Sequence, residues 1–199
     1  MKDTIENSEN SEKVHENKLF EKINYSEKIV QNRVFEECTF KQCDLSKSNF
    51  SNCRFSDCSF VGCNMAMIKL KHSTLANADF KECKLLGINF SECENFLFSV
   101  KFQNCILDYS SFFGKKMPKT QILNSSLKSV VFIQADLTGS LFSETDLSGA
   151  EFNDTVLKDA NLATAFNYSI DPEENNVKKA KFSLQGLPGL LYKYDLRVE

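Results

Sequence analysis

The chain has 199 residues, a formal net charge of -3 and a sequence pI near 5.6, so it suits a single domain and lacks the basic surface of a typical nucleic-acid-binding protein. No stretch approaches the roughly 20 consecutive apolar residues that a membrane helix requires, and the N-terminus lacks the apolar core of a secretory signal peptide. These features argue against direct nucleic-acid binding and membrane insertion, and they predict a cytoplasmic protein.

The N-terminal segment, residues 1–19, is rich in Glu, Asn, Lys and Ser and holds few apolar side chains. This composition predicts disorder. His15 lies in the segment and is expected to be solvated. Irregular first turns that cover the N-terminal edge are predicted next, from Phe20, Ile23, Tyr25 and Ile29.

A five-residue period runs through the predicted repeat domain, residues 20–170. From Phe35 to Leu162 every fifth residue is large and apolar, apart from a slip of two residues at Asn95–Phe96, after which the register is expected to resume at Leu97. This period fits neither the 3.6 of a helix nor the 2.0 of a long strand. It fits very short strands joined by turns.

Two residues before each large position lies a mostly small one. Residues two apart in a strand point to the same face, so both sets are predicted to face inward. The eight cysteines follow this small position and are predicted to be buried core residues. The alternative is a zinc site or disulfide within one column, which a thiol titration of the folded protein would test. The cysteines are Cys38, Cys43, Cys53, Cys58, Cys63, Cys83, Cys93 and Cys105.

The runs CDLSKSNF, ADLTGSLF, TDLSGAEF and DANLATAF resemble the A-(D/N)-L-x-x signature of the pentapeptide-repeat family. The resemblance covers roughly residues 30–167 and implies an all-β fold, a right-handed quadrilateral β-helix with four pentapeptides per coil. Residues twenty apart would then stack in columns, such as Phe40, Phe60 and Phe80. Such an interior is a packed core without room for a substrate.

Two local departures from the pattern lie close together. Lys115 falls at a small inward position, so one side is predicted to be distorted in a way that lets the ammonium reach water. Phe113, Val131 and Ile133 lie beside inward residues on a single side and form a candidate apolar patch for a partner. Corner residues that fold back over the core are the alternative for this patch.

Charge is distributed unevenly along the repeat domain. Residues 33–94 hold eight acidic and eight basic side chains, whereas residues 135–160 hold six acids and one base, Lys158. These acids fall on several sides of the predicted solenoid, so they form a candidate partner-binding surface. They are Asp136, Glu144, Asp146, Glu151, Asp154 and Asp159.

The C-terminal segment, residues 171–199, is predicted to cap the last coil or to form a dimer contact. Its leucine spacing suits a short amphipathic helix with Ser183 as the N-cap. The resemblance implies dimerisation through this segment, as in gyrase-directed relatives, and a simple cap is the alternative. The predicted dimerisation residues are Leu184, Leu187, Leu190, Leu191 and Tyr192.

No catalytic group, metal site or cofactor-binding motif is predicted, since the sequence holds no phosphate-binding glycine loop, nucleophile elbow or HExxH, and His72 has no catalytic partner. The resemblance extends to the quinolone-resistance branch, the Qnr and mycobacterial MfpA types. It implies a DNA mimic that binds DNA gyrase or topoisomerase IV. Qnr proteins carry projecting loops, whereas the break at Asn95–Phe96 is only two residues long. The alternative function is a protein-interaction scaffold with another partner.

Overall fold

The computed structural model describes residues 13–196, which form a β-solenoid of about eight turns and one short C-terminal helix. The predicted all-β solenoid is therefore confirmed. No helix within these residues is long and apolar enough to cross a membrane. The strands are β1 (Lys13–Glu16), β2 (Leu19–Glu21), β3 (Arg33–Glu36), β4 (Thr39–Lys41), β5 (Arg54–Ser56), β6 (Ser59–Val61), β7 (Thr74–Ala76), β8 (Ala78–Lys81), β9 (Val100–Gln103), β10 (Gln121–Leu123), β11 (Leu141–Ser143), β12 (Asn161–Leu162) and β13 (Lys181–Phe182).

Each pentapeptide makes one side of the solenoid and one corner. In residues 58–62, Cys58 and Phe60 are buried, and the single residue that follows each of them faces outward. The corner residue Gly62 has a φ of 63°. The same left-handed corner conformation recurs at every fifth residue through most of the coils. At such a corner the chain turns sharply to begin the next side, and four corners close one coil.

Successive coils stack in parallel, with residues twenty apart in register, as in the pair Phe40 and Phe60. We number the four sides as faces in chain order. Face 1 is the continuous nine-stranded sheet from β2 to β13, and face 4 begins as the four-stranded sheet β1-β3-β5-β7. Faces 2 and 3 are joined by single parallel bridges. Face 2 includes the column Lys84, Ile106, Ser126, Asp146 and Phe166, and face 3 the column Ser111, Val131 and Glu151.

The core is a stack of aromatic and aliphatic columns. Phe60 lies between Phe40 and Phe80, with ring centroids 4.8 Å apart on both sides. A second column holds Phe112 and Phe132, whose centroids are 5.4 Å apart. Stacking at this distance matches the spacing of neighbouring strands, so the predicted twenty-residue columns are confirmed.

The register slip is a bulge on face 4. Strands β8 and β9 pair Ala78 with Val100, an offset of 22 residues instead of 20. The expected resumption at Leu97 is wrong, because Leu97 is exposed at a corner with a φ of 61° and Phe98 turns inward instead. The sheet of face 4 ends at β7, just before this bulge, since the inserted residues cannot continue its ladder.

The solenoid begins earlier than predicted. Residues 13–19, which composition assigned to a disordered segment, contain β1 and the start of β2. His15 is buried, not solvated, and its ring stacks on Phe35 with centroids 5.0 Å apart. The reason is register: His15 occupies the large inward position twenty residues before Phe35, and its flat ring extends that column. The predicted disorder of residues 1–12 lies outside the described residues.

The C-terminal segment folds back over the last coils. Helix α1 spans Pro188–Leu191, followed by a 3-10 helix at Tyr192–Tyr194. The predicted N-cap at Ser183 is wrong, because proline at the first helical position begins the helix five residues later. Ser183 instead accepts a hydrogen bond from the N–H of Gly186 at 3.0 Å. Gly189 lies so close to the Tyr168 carbonyl that a Cβ at this position would clash with it.

Candidate functional site

The six predicted acids surround the solenoid over little more than one coil. Asp136 lies on face 4, Asp146 on face 2 and Glu151 on face 3, each in the outward position before a large core residue. The remaining three, Glu144, Asp154 and Asp159, occupy corners, with φ values of 49°, 51° and 57°. The structure therefore distributes the acids around the girth, as the pattern indicated.

Four of these acids are exposed to solvent: Glu144, Glu151, Asp154 and Asp159. The one base of the segment, Lys158, is exposed as well. Neighbouring strands lie about 4.8 Å apart, so residues 135–160, with five more acids than bases, carry roughly one net charge per 1.2 Å of solenoid axis. Duplex DNA carries about one charge per 1.7 Å. The local charge density of these acidic coils is thus similar to that of DNA.

The other two acids are tied into the turns. Asp136 Oδ1 accepts hydrogen bonds from the N–H of Thr138 at 3.0 Å and from its hydroxyl at 2.6 Å. Asp146 Oδ1 accepts the equivalent pair from Ser148, at 3.1 and 2.6 Å. Carboxylates used in this way fix the turn that follows them, so these two residues serve the fold as well as the surface charge.

Asp146 has further partners. Its Oδ1 accepts a bond from Asn167 Nδ2 at 3.0 Å, and Lys128 Nζ lies 3.5 Å from its Oδ2. Partial burial opposes ionisation, but the hydrogen bonds from Ser148 and Asn167, together with Lys128, hold the pKa of Asp146 below its ordinary value. With 17% of its side chain exposed, Asp146 presents less charge to a partner than the four free acids do.

The predicted apolar residues Phe113, Val131 and Ile133 all lie on face 3, on neighbouring coils. Gly114 donates its N–H to the Ile133 carbonyl at 2.9 Å, which places Phe113 directly beside Ile133. Phe113 is 48% exposed, whereas Val131 and Ile133 are half-buried. Val131 bridges to Glu151 on the next coil, so this patch borders the acidic coils.

The C-terminal residues divide into two groups. Leu190 packs against the core, so it belongs to the cap. Lys193 fastens the segment through Nζ contacts of 2.8 Å to Asp171 and 2.7 Å to Glu173. The remaining predicted dimerisation residues point to solvent: Leu184, Leu187, Leu191 and Tyr192. The structure thus supports the cap and leaves a leucine surface on its outer side.

Contrary to the prediction, Lys115 does not reach water. Only 1% of the residue is exposed, and Nζ donates to the Cys93 carbonyl and, at 3.0 Å, to Asn95 Oδ1. The same ammonium lies 4.8 Å from the ring centroid of Phe98. Burial lowers the pKa of the Lys115 amine, and the nearby Cys93 and Glu94 partly counteract this effect. The amine holds the bulge at the place where the face 4 ladder is interrupted.

The cysteines behave as core residues. All eight are buried and free of disulfides, and several donate their S–H to backbone carbonyls, as Cys43 does to Phe20 at 3.1 Å. Burial raises the pKa of Cys53 and of Cys93 to about 12, which makes both thiols poor nucleophiles. Among residues 13–196, no cluster of three potential metal ligands occurs. His72 is exposed and contacts Glu94 at 3.3 Å.

Comparisons with known families match the repeat directly. A model of the pentapeptide repeat region matches residues 33–112, and a model of eight pentapeptide repeats matches residues 125–162. Together they cover more than half of the chain. A search of curated proteins gave no significant match.

Solved structures share the fold at low sequence identity. A trypsin-treated variant of QnrB1, a plasmid-mediated fluoroquinolone resistance protein, is 16% identical with a TM-score of 0.61, and the match covers 95% of this chain and all of that trypsin-treated chain. HetL, involved in heterocyst differentiation regulation in the cyanobacterium Nostoc sp. strain PCC 7120, is 13% identical with a TM-score of 0.52. That match covers 86% of this chain and 85% of HetL.

Proposed function

Because the chain belongs to the pentapeptide-repeat family, we propose that it is a non-enzymatic binding protein that acts as a DNA mimic toward a type II topoisomerase, DNA gyrase or topoisomerase IV. Its acidic coils would occupy the DNA-binding surface of the enzyme and modulate it or protect it from fluoroquinolones. The observation that carries this proposal is the ring of free acids at Glu144, Glu151, Asp154 and Asp159.

A surface that binds DNA is lined by Lys and Arg, and much of its affinity comes from releasing the counterions of the phosphates. A rigid rod whose local charge density is similar to that of DNA competes for the same basic residues. The acids lie on three faces and three corners of the acidic coils, so the rod presents negative charge whichever side approaches the enzyme.

One comparison and one feature of the C-terminal cap support the proposal. The trypsin-treated QnrB1 chain shares the fold over its whole length, and QnrB1 is a plasmid-mediated fluoroquinolone resistance protein. The exposed leucines of the C-terminal cap supply a surface for a second copy of the chain, which would join two rods end to end. Light scattering at micromolar concentration tests this homodimer: a dimeric mass that becomes monomeric in Leu184→Ser/Leu191→Ser supports it, and a monomeric wild type contradicts it.

The function is tested in a gyrase supercoiling and cleavage assay with and without a fluoroquinolone. We expect the wild-type protein to restore supercoiling in the presence of the drug, or to inhibit supercoiling without DNA cleavage. The triple variant Glu144→Lys/Asp154→Lys/Asp159→Lys should lose this effect.

A matched control is available in the N-terminal coils. Glu37, Asp57 and Glu82 occupy the same corner position with φ values of 51°, 53° and 56°, and the triple variant Glu37→Lys/Asp57→Lys/Glu82→Lys changes net charge equally. We expect this control to retain activity. Equal loss in both triple variants would show that only total charge matters and would contradict a specific acidic site.

The second candidate function is a protein-interaction scaffold, favoured by the apolar residues Phe113, Val131 and Ile133 beside the acidic coils. A scaffold that docks through apolar contacts depends weakly on salt, whereas an electrostatic mimic loses affinity steeply as ionic strength rises. Binding that is unchanged by salt and abolished by Phe113→Ser would favour the scaffold.

A further inference from the structure

A second apolar surface lies on face 2, on coils that precede the acidic coils. The corner position of most pentapeptides has a positive φ, and its described occupants are almost all polar residues or glycine. The apolar and aromatic exceptions are Met67, Leu97 and Tyr109. Leu97 belongs to the bulge, but Met67 and Tyr109 lie in regular coils.

Met67 and Tyr109 share one column at the corner between faces 2 and 3. Met67 donates its N–H to Leu86 O at 2.8 Å, and the next residue of that coil, Gly87, donates to Asp108 O at 2.9 Å, so the corners of three coils stack directly. A Cβ on Gly87 would lie 3.7 Å from Met67 Cγ. The Met67 side chain therefore lies over the glycine, toward Tyr109.

Two aliphatic residues extend the surface across face 2. Ile106 occupies the outward position of face 2, three residues before Tyr109, and bridges to Lys84 on the preceding coil. Leu86, half-buried, lies beside Lys84 on that coil. Tyr109 is 67% exposed and Ile106 is 45% exposed. A large apolar side chain at an exposed corner is unfavourable for two reasons: the backbone there is strained, and the side chain is in contact with water.

The rim of this surface is basic. Lys84 and Lys69 are exposed, and within residues 13–196 neither ammonium forms an ion pair with a carboxylate. The nearby acid, Asp108, is already engaged, since its Oδ1 accepts bonds from the Ser126 hydroxyl at 2.6 Å and the Lys128 N–H at 3.0 Å. A ligand that fills the apolar centre therefore meets free positive charge at its edges.

We infer that Met67, Leu86, Ile106 and Tyr109 form a docking surface for an acidic protein segment that carries aromatic or aliphatic anchor residues. The anchors would pack between Met67 and Tyr109, where Gly87 carries no side chain. The carboxylates of the segment would pair with Lys84 and Lys69. This inference does not depend on the topoisomerase proposal, because it concerns other coils and a partner of the opposite charge.

The probe is a short fluorescein-labelled peptide of Glu residues around one Phe and one Leu, titrated with the full chain and followed by fluorescence anisotropy. We expect saturable binding. The same peptide with Lys in place of Glu, or with Ala in place of Phe and Leu, should bind at least about tenfold more weakly. Absence of binding by the acidic peptide at millimolar concentration, or equal binding of all three, would overturn the inference.

The variant Ile106→Thr/Tyr109→Asn separates binding from folding. We expect the peptide affinity to fall at least about tenfold, while the midpoint of thermal unfolding stays the same or rises, because Asn tolerates the corner conformation. Phe166→Ser is the matched control: Phe166 occupies the same column of face 2 three coils away and is also 45% exposed. This control should leave peptide binding unchanged.

Two further outcomes would overturn the inference. An affinity that survives in Ile106→Thr/Tyr109→Asn, or that falls equally in Phe166→Ser, would remove the surface from the binding site. A wild-type protein whose dimeric mass disappears in the same double variant would show that a second copy of this chain covers face 2, in place of an acidic partner.

Discussion

The N-terminal coils, residues 33–94, and the acidic coils, residues 135–160, share one backbone plan but differ inside and outside. Inside, the N-terminal coils stack Phe rings and hold seven of the eight cysteines, whereas the acidic coils alternate Leu and Phe with Ala, Ser and Thr. Outside, the first region balances its charges and the second does not. The core thus tolerates several chemistries with the same fold.

This difference indicates which positions of the pentapeptide can encode function. Two of every five residues are committed to the interior and one to the corner, so the outward positions can vary with little effect on the fold. Asp136 and Asp146 show the boundary of this freedom, because they face outward and still fix turns. The acids without such bonds are the better candidates for a partner.

The largest expected effect tests whether both regions are packed equally well. Phe60→Ala removes a ring that stacks on two neighbours and should lower the free energy of unfolding by about 3–5 kcal/mol, and Leu147→Ala in the acidic coils by about 2–5 kcal/mol. Urea denaturation measures both. A loss under about 1 kcal/mol at Leu147 would mean that the acidic coils are more loosely packed than the N-terminal ones.

A second test addresses the junction between the two regions. Lys115→Ala removes a buried stem and the donor to the Cys93 carbonyl, so it should cost about 2–3 kcal/mol. Lys115→Met keeps the stem and should cost less.

The amine also gives a pH signature. Because the pKa of Lys115 is lower in the folded state than its ordinary 10.5, the unfolded chain binds more protons between these two values, and stability rises with pH there. The unfolding free energy of the wild type relative to Lys115→Met should therefore increase as pH rises toward 10.5. A flat difference would contradict the burial of the ammonium.

A smaller effect distinguishes the two kinds of acid. Asp146→Ala should cost about 1 kcal/mol through lost hydrogen bonds, whereas Glu151→Ala should change stability by less than about 0.5 kcal/mol. Since the pKa of Asp146 is lowered, its contribution is present above its ordinary 3.8 and is lost as pH falls through the folded value. Equal effects of the two substitutions, measured by chemical denaturation at neutral and acid pH, would contradict this division.

The smallest expected effect comes from replacing corner residues by glycine, and it should be the same in both halves of the solenoid. Gln42 and Ser129 occupy corners with φ values of 52° and 54°. Gln42→Gly and Ser129→Gly should each stabilise the protein by about 0.5 kcal/mol, because relief of left-handed strain exceeds the added entropy of the unfolded chain. Thermal unfolding would detect a rise in both variants. A rise in only one would show that the corners differ between the regions.

The sequence predicts the solenoid well because its period is a direct consequence of alternating inward and outward side chains. It predicts less where a residue serves another purpose. His15 is expected to be solvated because its side chain is polar, yet its ring continues an aromatic column. Lys115 is expected to reach water because its side chain is charged, yet the bulge supplies a carbonyl and an amide oxygen as acceptors for the ammonium.

The surface is harder to predict than the core. The positions of the acids follow from the repeat, but whether a carboxylate is free depends on the residue two positions later, as with Ser148 after Asp146. The residue types of Met67 and Tyr109 do not indicate that these residues lie at corners, so the sequence analysis does not single them out. Only the five-residue register, applied to the position with positive φ, would have identified them.

The central claim is that the acidic coils take the place of DNA on a type II topoisomerase. The most direct measurement is the displacement of fluorescently labelled duplex DNA from gyrase, followed by anisotropy as the protein is added at several salt concentrations. We expect competitive displacement that weakens steeply with salt and disappears in Glu144→Lys/Asp154→Lys/Asp159→Lys. Simultaneous binding of DNA and protein to gyrase, or no binding of the protein at all, would contradict the claim.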